Sequence, residues 1–136
     1  MFKRIACVVL WLSVLIGLAA CQPANVEVVT NADIVGTWMA GHYCVRFESD
    51  GTYQAAGSMA GLDIANPPDS GTYQVENGYV TLVSGLDSRD CSSGDVGIYH
   101  VTIAGAGRLE FSLQEDFCRM RRSPVTYTQL YEPMES

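Results

Sequence analysis

The chain has 136 residues, with 8 basic and 15 acidic side chains and a formal charge of −7. That length supports one compact domain with one core rather than two. The acidic balance argues against nucleic acid as a partner, because phosphates call for the opposite sign.

Lys3 and Arg4 open the chain, and an uncharged run from Ile5 to Ala20 follows. The run suits the apolar core of an export signal and is too short for a comfortable membrane span. The two cations stay on the cytoplasmic side while the run inserts. It ends in Leu18-Ala19-Ala20-Cys21, small residues and then a thiol. This resembles the lipobox of bacterial lipoproteins. The resemblance implies cleavage before Cys21, lipidation of Cys21 and anchoring by fatty acyl chains such as palmitate. Two or three chains at roughly 0.8 kcal/mol per buried methylene make a stable anchor. Gln22 stands where an Asp would favour inner-membrane retention, so the resemblance implies an outer-membrane lipoprotein if the cell is Gram-negative. Removing the signal takes two of the eight basic residues and none of the fifteen acidic ones, leaving a charge of −9. Anionic headgroups then repel the domain, and the acyl anchor carries membrane attachment. The expected division is a signal over 1–20, a polar tether over 21–33 and a folded domain over 34–136. Part of the tether, Val26 to Thr30, is an alternative first edge strand.

From Ile34 the chain is a series of short β-prone runs separated by turn residues. IVGTWMA (34–40) comes first. YCVRFES (43–49) alternates, with Tyr43, Val45 and Phe47 on one face and Cys44, Arg46 and Glu48 on the other. Ser49-Asp50-Gly51 is a hairpin turn signal before TYQAAG. Asn77-Gly78 joins SGTYQVE and YVTLVSG and is the strongest hairpin signal in the chain. GIYHVTIAG and RLEFSLQ flank Gly105-Ala106-Gly107. There Tyr99, Val101 and Ile103 match Leu109, Phe111 and Leu113. FCRMRR (117–122) and TYTQLYE (126–132) read as the closing strands. About eight strands with no convincing helix predict an all-β, up-and-down antiparallel barrel, since closure removes exposed sheet edges. Residues 58–70 break the pattern, and Pro67-Pro68 forbids a central strand there. In a barrel this segment lies across a mouth.

Ile34-Val35-Gly36-Thr37-Trp38, then FESDGTY, DSGTYQVENGYVTL, GIYHVTI, GRLEFSL and EDFCRMR, resemble in their order the small lipocalin-like lipoproteins of bacteria. The resemblance spans roughly residues 34 to 131. It implies a calycin-type barrel with Trp38 closing one end and an Arg from a late strand packed across it. Arg121 is the choice among Arg119, Arg121 and Arg122. A domain of this size implies a shallow or filled interior. Three thiols remain in the exported domain, Cys44, Cys91 and Cys118, enough for one bridge with one left over. The resemblance favours Cys91–Cys118, with Cys44–Cys118 as the alternative.

No motif specifies a reaction. Gly57-Ser58-Met59-Ala60-Gly61 has the wrong spacing for a nucleophile elbow. His42 and Cys44 share a strand face but lack an orienting third group, so no catalytic residue is assigned. Neither that pair nor Asp87, Asp90 and Asp95 meets the requirements of a zinc or calcium site, so neither metal nor cofactor is expected. The leading expectation is a non-enzymatic, lipid-anchored module binding a small apolar or amphipathic ligand, with Tyr43, Tyr53, Tyr73 and Tyr99 as candidate contacts. The alternative is a protein-interaction module in the envelope, for instance an inhibitor of a basic enzyme.

Overall fold

The computed structural model describes residues 27–122 and 128–134, for 128–130 in backbone only. Cys21, the signal and the start of the tether lie outside the described residues. Eight strands, β1 (Gly36–Ala40), β2 (Tyr43–Phe47), β3 (Thr52–Ala56), β4 (Asp69–Glu76), β5 (Tyr79–Ser84), β6 (Val96–Ala104), β7 (Arg108–Asp116) and β8 (Thr128–Pro133), form the sheet. Every neighbour pairs antiparallel, and β8 pairs back onto β1, so the barrel closes in simple chain order.

Alternation sets the register. Tyr99 opposes Leu113, Val101 opposes Phe111 and Ile103 opposes Leu109, as the apolar pattern requires. Asn77 and Gly78 both take positive φ, 52° and 77°, the geometry of a two-residue hairpin turn matched to strand twist. Trp38, Val45, Phe47, Tyr53, Tyr99 and Phe111 belong to one continuous core inside the barrel. Phe47 and Phe111 stack with centroids 6.3 Å apart, and Tyr131 meets the edge of Phe111 at 5.1 Å.

Three local expectations need correction. Residues 27–30 form no strand, and Ile34 belongs to a helical turn, α1 (Asn31–Ile34), rather than to β1. Asp33 makes this turn by accepting the N–H and the hydroxyl of Thr30, each at 2.7 Å, so a Thr-x-x-Asp cap outweighs the β-prone Ile-Val. FCRMRR is not a strand. The Asp116 carboxylate accepts the Cys118 N–H at 2.8 Å and turns the chain, and α2 (Arg119–Arg122) follows. Cys44 points outward but is fully buried, because a 3₁₀ turn at Met59–Gly61 and the following Leu62 cover it with Ala56, Met39 and Met59. A covered strand face is no longer a polar face.

The two ends of the barrel differ. One carries the tight turns after β2, β4 and β6, and α1 lies over it with Ile34 fully buried. The other gathers the long connections 57–68 and 85–95 and the described part, 117–122, of the last connection.

Candidate functional site: the lidded mouth

The long connections converge because the chain ties them together. Cys91 and Cys118 form a disulfide with Cα atoms 5.3 Å apart, joining the second connection to the third. The Arg89 and Asp90 N–H groups donate to the carbonyls of Pro67 and Pro68 at 3.1 and 2.8 Å, joining the second to the first. Two prolines end strand character there and leave their carbonyls free for this docking.

Beneath the connections lies a buried polar cluster centred on Arg121. Its Nε and Nη2 donate to the Asp116 carboxylate at 2.7 and 2.9 Å, a bidentate pair. Its Nη1 donates to Asp69 Oδ2 at 2.9 Å, Tyr53 Oη at 2.9 Å and Ser84 Oγ at 2.8 Å. Nη2 also reaches the Asp95 carbonyl at 3.4 Å. Tyr53 donates to Asp69 at 2.9 Å, Tyr99 donates to Asp116, and Ser84 and Ser88 donate to Asp69 at 2.9 and 3.1 Å. Burial opposes the charge on Arg121, but the Asp116 hydrogen bonds, Tyr53 and the charges of Asp69 and Asp116 outweigh it and hold the guanidinium protonated above its ordinary range. Burial first, then the Asp116 hydrogen bond and charge, keeps the Tyr99 phenol protonated well above the usual tyrosine range. Among the described residues no fully buried side-chain nitrogen or oxygen lacks a hydrogen-bond partner. Two carboxylates face one guanidinium.

Above the cluster a cavity of about 430 Å³ opens, within the size range of small-molecule sites. Ala40, Tyr43, Ala55, Ala56, Pro68 and Met120 supply its apolar wall, with His42 at the rim and Asp69 and Arg121 at the floor. Behind it, between Tyr43, Tyr131, Phe111 and Arg121, lies a void of about 20 Å³ inside the barrel. That is room for about one water molecule. Side chains fill most of the interior, and the larger space is at the mouth.

The sequence-derived candidates separate. Tyr43 lines the cavity. Tyr53 and Tyr99 are engaged in the Arg121 cluster, and Tyr73 points to the opposite end and donates to the Glu48 carbonyl at 2.8 Å. Their hydroxyls serve the fold and do not face the cavity. Trp38 donates its indole N–H to the Ile34 carbonyl at 2.7 Å, toward the α1 end, whereas Arg121 lies on a helical turn at the mouth with its guanidinium held by carboxylates. The arginine that the resemblance placed across Trp38 instead organises the other end. His42 stands at the rim and its carbonyl accepts from the Cys44 thiol at 3.5 Å. Asp90 pairs with Arg89, and Asp95 caps the Ser92 N–H at 2.9 Å.

Asp69, Ser84, Asp116 and Tyr131 were not among the candidates. Ser84 carried a readable signal, since YVTLVS puts it on the face of Val80 and Leu82. Asp69 likewise shares parity with Tyr73. A polar residue on an inward parity marks an interior cluster.

The molecule is thus a closed eight-stranded barrel with a filled interior and one lidded, partly apolar mouth. Comparison with known proteins returns no match, whether to a family model, a curated protein or a solved structure.

Proposed function

We propose that this protein is a lipid-anchored envelope lipoprotein that holds a small apolar or amphipathic ligand at the mouth of its barrel, without catalysing a reaction on it. The cavity beneath the tied connections is the observation that carries this reading. Its wall is apolar, its floor is polar, and its volume suits a small molecule. The nearly filled interior confines the ligand's apolar body to the mouth. Residues 27–34 enter at the opposite end, so an anchor at Cys21 would hold that end toward the membrane and present the mouth to the aqueous envelope.

A second reading has its own support. Leu86, Phe117, Met120 and Ile64 all project from the mouth connections and are 90%, 66%, 54% and 42% exposed. Exposed apolar groups at one end of an acidic domain suit a protein partner such as a basic enzyme.

The deciding experiment is native mass spectrometry of the full chain, expressed from its own signal and released from membranes. A diacyl mass increment on a chain beginning at Cys21 supports the anchor. A further small mass, lost on organic extraction, supports the carrier reading and identifies the cargo. A bare chain that binds no small apolar probe defeats it and leaves the partner reading.

A further inference from the structure

The interior tyrosines fall into two groups. Tyr53, Tyr73 and Tyr99 each donate to a protein acceptor. Tyr43 and Tyr131 have no hydrogen-bond partner among the described residues. Tyr131 is only 3% exposed, yet its phenol oxygen is not sealed in. Both side chains line the void below the mouth, and Tyr43 continues into the main cavity. Their rings meet edge to face with centroids 6.5 Å apart. A buried phenol normally finds a partner, because leaving it unmade costs free energy. Here two phenols are left for whatever enters.

The floor decides what can enter. Every N–H of Arg121 is already engaged by Asp116, Asp69, Tyr53, Ser84 or the Asp95 carbonyl, so it has no donor for an incoming anion. Two carboxylates against one guanidinium leave excess negative charge, and Asp69 itself borders the cavity. A carboxylate ligand could accept from the two phenols but would meet repulsion from Asp69 and find no unengaged N–H on Arg121. An ammonium group would meet attraction, two oxygens able to accept its protons and two aromatic faces. Burial, followed by Tyr131 and Asp69, also keeps the Tyr43 phenol protonated and neutral, available both to donate and to accept.

From this geometry we propose that the mouth takes an amphipathic cation, an ammonium group on a small apolar body, with Tyr43 and Tyr131 holding the ammonium above Asp69. The assignment rests on the carrier reading and narrows its ligand class. The apolar body packs against Ala40, Ala55, Ala56 and Met120. Water that solvates the empty phenols leaves on binding.

The test compares two probes of similar shape and opposite charge, 2-phenylethylammonium and 3-phenylpropanoate. Calorimetry is run on the full chain in nanodiscs of neutral phosphatidylcholine, with Tyr43→Phe and Tyr131→Phe alongside. The ammonium probe is expected to bind at least about tenfold more tightly than the carboxylate. Each Phe variant should weaken it about fivefold, the worth of one hydrogen bond. The urea midpoints of both variants should match the wild type, since neither hydroxyl bonds the protein. Tighter binding of the carboxylate overturns the charge assignment while leaving a carrier. Ammonium binding indifferent to both Phe variants, or a lowered midpoint in either, overturns the role of the phenols. If neither probe binds, the ammonium assignment falls, and the mass lost on organic extraction alone decides the carrier reading.

Discussion

Replacing Arg121 with Met should cost a large part of the stability of this domain. Arg121 is 2% exposed and balances Asp69 and Asp116, whose side chains are 5% and 0% exposed. Met fills much of the same volume but leaves two buried carboxylates facing each other without a cation. Removing one partner of a buried ion pair costs about 3–5 kcal/mol. A domain of this size has roughly 5–15 kcal/mol in total. Arg121→Lys keeps the charge but cannot form the bidentate Asp116 contact and reach Asp69 at once, so it should lose about 2 kcal/mol. The assay is urea unfolding followed by Trp38, the sole tryptophan after Cys21. For Arg121→Met the midpoint should fall by roughly 2 M, given a urea slope of 1–3 kcal/mol per molar. A Met variant within about 1 kcal/mol of wild type would refute the view that this cluster holds the mouth together. So would a Lys variant indistinguishable from Arg.

Three further outcomes are expected. Gly97→Ala should destabilise by about 1–3 kcal/mol although Ala is otherwise acceptable in a strand, because a Cβ there would lie 2.7 Å from the Asp116 carboxylate and 2.9 Å from Arg121 Nε; thermal unfolding reads it, and an unchanged midpoint contradicts the packing. Reducing Cys91–Cys118, separated by 27 residues, should cost roughly 3–4 kcal/mol by freeing the unfolded chain; denaturation with and without reductant measures this, and equal midpoints would mean the bridge adds nothing. Alkali should unfold the protein. Burial is the first cause holding Tyr53, Tyr99 and Tyr131 protonated above the ordinary phenol range. The unfolded chain releases these protons near pH 10 and the folded chain does not. Their contribution is therefore complete below about pH 10 and declines above it, by about 1.4 kcal/mol per pH unit for each tyrosine. Urea midpoints unchanged from pH 10 to 11 would contradict the burial of these phenols.

By itself the sequence determined most of the strands, most of their faces and the meander. Period-two alternation is local, so the pattern alone matches Tyr99, Val101 and Ile103 to Leu109, Phe111 and Leu113 and places Asn77-Gly78 in a turn. The cysteine arithmetic left one bridge and one spare thiol. Tertiary structure decided the mouth. Arg121 meets Asp69 across 52 residues and Tyr53 across 68, contacts that exist only once the barrel has closed and the connections are tied. Closure also covered Cys44 with the 59–62 segment and took three of four candidate tyrosines into the fold. It left Tyr43 open to the cavity and Tyr131 on the void behind it. A strand pattern states which side of the sheet a side chain occupies. Whether that side chain finds a partner there depends on residues far along the chain, brought within hydrogen-bonding distance by the closed barrel alone.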